Sequence, residues 1–183
     1  MKPWLVWVVG ITLVVAAWGV GRLTPSDDAV QAPFVVTGSL DEEIVGREFT
    51  LTVTEVRRGA TAVDQAGWYG DGNWVVVDIE AESRTTEQGT TLGHVVLLVD
   101  GATYRASERP TSISRGGLAV GLPRQGSVAF ELPADAGTGT AVLQVAIDET
   151  ETRLDSLVEV PFDLGALEPA DEVELQATEW VLP

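Results

Sequence analysis

The sequence contains no cysteine. That excludes disulfides, thiolate metal centres, a cysteine nucleophile and the acylated cysteine of a bacterial lipoprotein, so packing alone must hold the fold together. There is a single histidine, His94, and a single lysine, Lys2. A metal site or proton relay built on imidazole needs partners that one histidine does not identify, and His94 opens an apolar run, so it reads as a strand position. Positive charge is scarce as well, with 11 basic residues against 28 acidic ones and a formal net charge of −17. Such a chain repels a phosphate backbone and anionic lipid headgroups alike, so no nucleic-acid partner is expected and any hold on a membrane must come from apolar insertion. No nucleophile elbow, P-loop, dinucleotide fingerprint or zincin motif occurs. The glycine runs near Gly67, Gly116 and Gly137 lack the strand-to-helix context those motifs require and read as turns.

What is present begins with an uncharged stretch from Trp4 to Gly21. At 1.5 Å per residue it makes roughly 27 Å of helix, close to the hydrocarbon thickness of a bilayer. Trp4, Trp7 and Trp18 lie near its ends, where indoles favour the interface, and Lys2 with the α-amino group supplies the positive inner flank. Residues 1–22 are therefore expected to be a transmembrane anchor, N-terminus in and C-terminus out. Cleavage as a signal peptide after Val15-Ala16-Ala17 is the rival reading. Gly10, Ala17 and Gly21 share one helical face, a row that would let another helix approach closely.

Residues 23–42 carry turn formers and charges with little periodicity, including Thr24-Pro25-Ser26-Asp27-Asp28 and Ala32-Pro33, and read as a linker. From there the period is two. Phe49, Leu51, Val53 and Val56 predict a first strand, ended by a turn at Arg57-Arg58-Gly59. Trp74 to Ala81 predicts the strongest strand, with Val75, Val77, Ile79 and Ala81 on one face and Trp74 and Val76 on the other. His94 to Val99 leads through Asp100-Gly101, a hairpin signal, into Thr103-Tyr104-Arg105. Ser127 to Leu132, Val142 to Asp148 and Leu157 to Phe162 complete the series. About six to eight short strands without an amphipathic helix predict an all-β sandwich or barrel. Residues 43–167 form that domain, and residues 168–183 read as an acidic, then apolar, edge strand or tail.

Three segments in order carry a resemblance: Phe49-Thr50-Leu51-Thr52-Val53-Thr54-Glu55-Val56, Trp74-Val75-Val76-Val77-Asp78-Ile79-Glu80-Ala81, and Gly121-Leu122-Pro123-Arg124-Gln125-Gly126-Ser127-Val128-Ala129-Phe130-Glu131-Leu132-Pro133. Their spacing resembles the immunoglobulin-like domain of unknown function on Gram-positive anchored ectodomains and lipoproteins, related to secreted immunogenic antigens of mycobacteria. The likeness covers about residues 44 to 165. It implies an immunoglobulin-like β-sandwich of about 7–8 strands, an extracytoplasmic place at the cell membrane and no catalytic residues. Glu82-Ser83-Arg84 stands where that family usually ends its middle strand in Asn. Arginine-rich, lysine-poor usage with abundant Ala, Gly and Val agrees with an actinobacterial source.

Candidate site residues are few. Asp64, Asp71, Asn73 and Asp78 carry oxygen ligands of the kind calcium takes six to eight of, although Asp71-Gly72-Asn73 also has the composition of a plain turn. Glu42-Glu43 and Glu149-Glu151 are carboxylate pairs of the sort a glycosidase places across a cleft, and in a chain this acidic they arise by chance. Trp68 and Tyr69 lie in a glycine-rich stretch as candidate partner-binding aromatics, or as a cap that folds back beside Trp74. The expectation is a non-enzymatic binding or accessory module with no cofactor, a protein partner and the membrane as its support. The alternative is a single-pass structural subunit of a larger membrane complex.

Overall fold

The computed structural model describes residues 3–23, 33–85, 90–147 and 156–182, with side chains in the first of these segments described as far as Gly19. The chain divides into two compact units, residues 1–32 and 33–183. The first contains a helix, α1 (Pro3–Leu23). Its large apolar side chains are exposed on all sides, from Trp4 and Trp7 through Ile11, Leu13 and Val14 to Trp18. Among the described residues no helix is long and apolar enough to cross a membrane. The described residues thus do not bear out the anchor expected over residues 1–22.

The second unit is a two-sheet sandwich. Its strands are β1 (Phe34–Thr37), β2 (Ile44–Val45), β3 (Phe49–Val63), β4 (Tyr69–Ser83), β5 (His94–Val99), β6 (Ala102–Arg105), β7 (Arg124–Leu132), β8 (Thr140–Ala146), β9 (Ser156–Asp163), β10 (Pro169–Ala170), β11 (Val173–Glu174) and β12 (Glu179–Trp180). One sheet runs β1-β9-β8-β5-β6 and the other β10-β3-β4-β7-β12, with β2 and β11 also on β3. β1 pairs β9 in parallel, Phe34 against Ser156 through Thr37 against Glu159. The sandwich thus starts inside the stretch read as linker, because Phe34-Val35-Val36 is a short strand that alternation cannot mark in four residues. Residues 24–32 of that stretch lie outside the described residues.

Alternation fixes the core. On β4, Val75, Val77, Ile79 and Ala81 face the opposite sheet, where Leu97, Leu143, Val145, Val158 and Val160 meet them. Trp74 and Val76 face outward, as expected, yet both are fully buried. A second apolar cluster of Ala62, Ala129, Val173 and Leu175 covers them, with Trp68 against its rim. The cover comes from the C-terminal segment. After pairing with β3 at β10 and β11, the chain crosses the outer face of this sheet and pairs at β12 with Arg124 and Gln125 of β7. Residues 169–180 are therefore a strap across one face of the sandwich, more than the edge strand or tail their sequence predicts.

The turn expected at Arg57-Arg58-Gly59 is corrected too. β3 continues unbroken, and its register against β4 shifts between Val53 and Glu55 and again between Gly59 and Thr61. An extra residue at each shift is a bulge, which breaks the two-residue period without ending the strand. That break is what makes Arg57-Arg58-Gly59 look like a boundary. The Asp100-Gly101 hairpin is present, with φ of 49° and 82° at the two residues, the positive-φ pair that a tight hairpin turn demands.

Candidate functional site

At one end of the sandwich, β3 runs into a short loop and β4 begins. Asp64 builds that loop. Its Oδ1 accepts from the Trp68 amide at 2.9 Å, and its Oδ2 accepts from the amide and hydroxyl of Thr111 at 2.9 and 3.0 Å. Burial alone raises the pKa of this carboxyl, but bonds from Thr111, Trp68 and Ala66 outweigh it and hold the carboxyl below its ordinary range. The ionised Asp64 is thereby the hook joining the Trp68 loop to the Thr111 segment.

Trp68, fixed by this hook, is half-buried and meets Trp74 edge-on, with centroids 5.5 Å apart and planes at 85°, the perpendicular geometry that suits two ring quadrupoles. Arg109 lies over both rings, its guanidinium carbon 5.9 Å from the Trp68 centroid and 5.1 Å from that of Trp74. Glu131 on β7 holds the same guanidinium in an ion pair whose side chains are about half exposed. The buried Trp74 Nε1 has no acceptor. It lies against Gly72, where an added Cβ would come within 3.0 Å of Nε1 and 3.2 Å of Glu131 Oε1. Tyr69, the next residue after Trp68 and the first of β4, is 71 % exposed. The outcome for the two predicted aromatics is split: Trp68 caps Trp74, and Tyr69 remains at the surface. Tyr69 opens β4, to which Gly70 and Gly72 also belong, and Trp68 is the last residue of the loop before it.

Arg109 and Glu131 escaped sequence reasoning. Arg109 precedes Pro110 in a segment without periodicity, and Glu131 looks like any outward-facing strand residue. Only the pairing of β7 beside β4, with Trp74 opposite Glu131, brings them to the tryptophans.

The four calcium candidates do not converge. Among the described residues no group of three or more His, Cys, Asp or Glu side chains could hold a metal ion. Asp64 is the loop hook. Asp71 accepts from the Thr61 hydroxyl at 3.0 Å. Asn73 accepts from Arg58 Nε at 2.9 Å and donates to the carbonyls of Pro133 and Ala136. Asp78 pairs with Arg57 at 2.5 Å and takes the Ser127 hydroxyl. All four side chains instead take part in joining strands and loops. Glu42 accepts from the Ser39 amide at 3.0 Å, closing a turn, whereas Glu149-Glu151 lies outside the described residues. On α1, an added Cβ at Gly10 meets nothing within 4 Å and Ala17 is exposed; the surroundings of Gly21 lie outside the described residues.

No protein-family profile matches this chain, and no curated protein does. Among solved structures it is similar to an uncharacterized β-sandwich protein from Clostridium difficile 630, with 8 % sequence identity and a TM-score of 0.46 over 72 % of this chain and 95 % of that one.

Proposed function

We propose that this chain is a non-catalytic binding module of the immunoglobulin-like type, displayed outside the cell membrane, that contacts a partner protein through the Trp68, Tyr69 and Arg109 end of its sandwich. The observation that carries the reading is the half-exposed Trp68–Arg109–Trp74 stack, with the exposed Tyr69 next to Trp68 in the chain. Tyrosine, tryptophan and arginine are the residues that dominate binding energy at protein interfaces, and here Trp68 and Arg109 are held by Trp74 and Glu131. The topology supports the immunoglobulin-like assignment. Strands β3, β4 and β7 form one sheet and β9, β8, β5 and β6 the other, the Greek-key distribution of an A-B-E and G-F-C-C′ sandwich. The test is native purification of the tagged full chain in mild detergent, alongside Tyr69→Ala and Arg109→Ala variants. A partner retained at fixed stoichiometry by the unaltered chain and lost from both folded variants supports the reading. Equal retention by all three overturns it.

A second reading, an accessory subunit of a membrane complex, draws on α1. Its apolar side chains face outward on every side, a pattern that needs an apolar environment to cover it. In this reading the helix is the means of membrane attachment, with Gly10, Ala17 and Gly21 against a neighbouring helix. Carbonate extraction separates the cases: the chain stays with the membrane pellet if α1 inserts and is released if it does not. Loss of the partner in a Gly10→Leu, Ala17→Leu variant would place the contact on the helix and not on the aromatic end.

A further inference from the structure

A cavity of about 280 Å³ opens where β5 begins and β6 ends, closed on its third side by the 3₁₀ turn Ile113–Arg115; His94, Arg105, Ser107, Glu108, Ser114 and Arg115 are among its lining. Its size is at the lower end for sites that take a small molecule. Its charge runs against the rest of the molecule. In a chain of net charge −17, two of the scarce arginines and the single imidazole are among its described lining, with one carboxylate, Glu108. The Arg115 guanidinium is fixed by the backbone carbonyl of Glu108, a neutral acceptor that positions the charge without cancelling it. Arg105 projects from the same sheet face as Val96, Gln144 and Glu159, which follow one another across β6, β5, β8 and β9.

We propose that this cavity is a binding site for a small oxyanion, a carboxylate or phosphate group, gripped by Arg105 and Arg115 and by the imidazole of His94. Guanidinium groups match such oxyanions in shape and charge, and the serine hydroxyls of Ser107 and Ser114 add donors of the right kind. His94 makes the site sensitive to protons. Burial and the neighbouring Arg105 lower its pKa, against a hydrogen bond to Gln144 that raises it. Gln144 in turn donates to Glu159 at 2.8 Å, which leaves its carbonyl oxygen to accept from the imidazole. Among the described residues the charged groups around the imidazole are Arg105, Arg115, Glu108 and, beyond Gln144, Glu159. An oxyanion lodged between the arginines favours the imidazolium, so binding takes up a proton and strengthens as the pH falls below about 6.5.

His94 is the only histidine, so its ring protons give an unambiguous NMR signal in the full chain. Titration is made with inorganic phosphate and, separately, succinate, at ionic strength matched with sodium chloride. The expected result is a saturable shift of the His94 signals with one or both anions and an upward move of its titration midpoint. Arg105→Gln and Arg115→Gln, both at exposed positions, are each expected to weaken the response about tenfold. Preference for phosphate over succinate identifies a phosphate-bearing ligand, and the reverse a carboxylate. Shifts reproduced by sodium chloride alone, or unchanged in both variants while their circular dichroism stays native, overturn the proposal.

Discussion

Arg57 on β3 and Asp78 on β4 form an ion pair at 2.5 Å beneath the C-terminal strap, with the carboxylate side chain 9 % exposed. The pair is also a clamp. Arg57 Nη1 donates to the Glu174 carbonyl at 2.8 Å. Asp78 takes the Ser127 hydroxyl, whose oxygen accepts from the Gln176 amide at 2.7 Å. Two strands and two points of the strap therefore depend on one carboxylate. Asp78→Ala removes the acceptor of Arg57 Nη2 and of the buried Ser127 hydroxyl, and is expected to cost about 2–3 kcal/mol in urea unfolding. Limited proteolysis should then cut within residues 168–182 before any other part of the sandwich.

Gly59 offers an independent test of the strap. An added Cβ there would lie 2.9 and 3.1 Å from the Val173 methyls and 3.3 Å from the Ala170 carbonyl oxygen, so β10 and β11 must move away. Gly59→Ala is expected to destabilise by about 1–3 kcal/mol, the usual cost of overpacking. Its proteolytic pattern should match that of Asp78→Ala. A neutral substitution would mean the strap does not press on β3.

The aromatic end should separate stability from recognition. Trp74 is fully buried, and Trp74→Ala is expected to cost about 3–5 kcal/mol. Tyr69→Ala should change the unfolding midpoint by no more than about 0.5 kcal/mol, as at other exposed sites. Denaturant unfolding of the two variants side by side checks both.

Two groups predict opposite ends of the pH profile. The folded-state pKa of Asp64 is depressed, so its stabilisation is present above the unfolded value, about 3.9, and is lost as pH falls through the folded one. Amide exchange at Trp68 and Thr111 should accelerate in that acid window, and Asp64→Asn should remove the pH dependence.

The folded-state pKa of His94 is also lowered. For a base this means that the fold favours the neutral ring, so stability is full above about 6.5 and declines as pH falls through that value. Thermal unfolding from pH 7.5 to 5.5, in buffers without phosphate or carboxylates, should show this loss, and His94→Gln should flatten it.

The strands were legible wherever alternation ran over several residues with one face buried. Val75 to Ala81 announced its two faces, and Asp100-Gly101 its turn. Legibility failed where a residue serves tertiary structure. The bulges of β3 imitate a turn at Arg57-Arg58-Gly59. β1 is too short to carry a period. The strap shows only Val173, Leu175 and Ala177 in alternation, and nothing local says that Leu175 will cover Trp74 and Val76. At the candidate site the sequence offered Trp68 and Tyr69 but not Arg109 and Glu131, because a contact between distant strands leaves no mark in the spacing of either. The acidic residues around Asp71 stayed ambiguous for the complementary reason: oxygen-rich side chains serve turns and strand clamps as readily as they serve an ion.

The parallel pairing of β1 with β9 has a mechanical consequence. Tension that enters ahead of Phe34 and leaves beyond Asp163 draws the two strands past each other along their length, so their interstrand bonds are loaded together in shear and not peeled one by one. A sandwich joined in this way resists being pulled open from its N-terminal end.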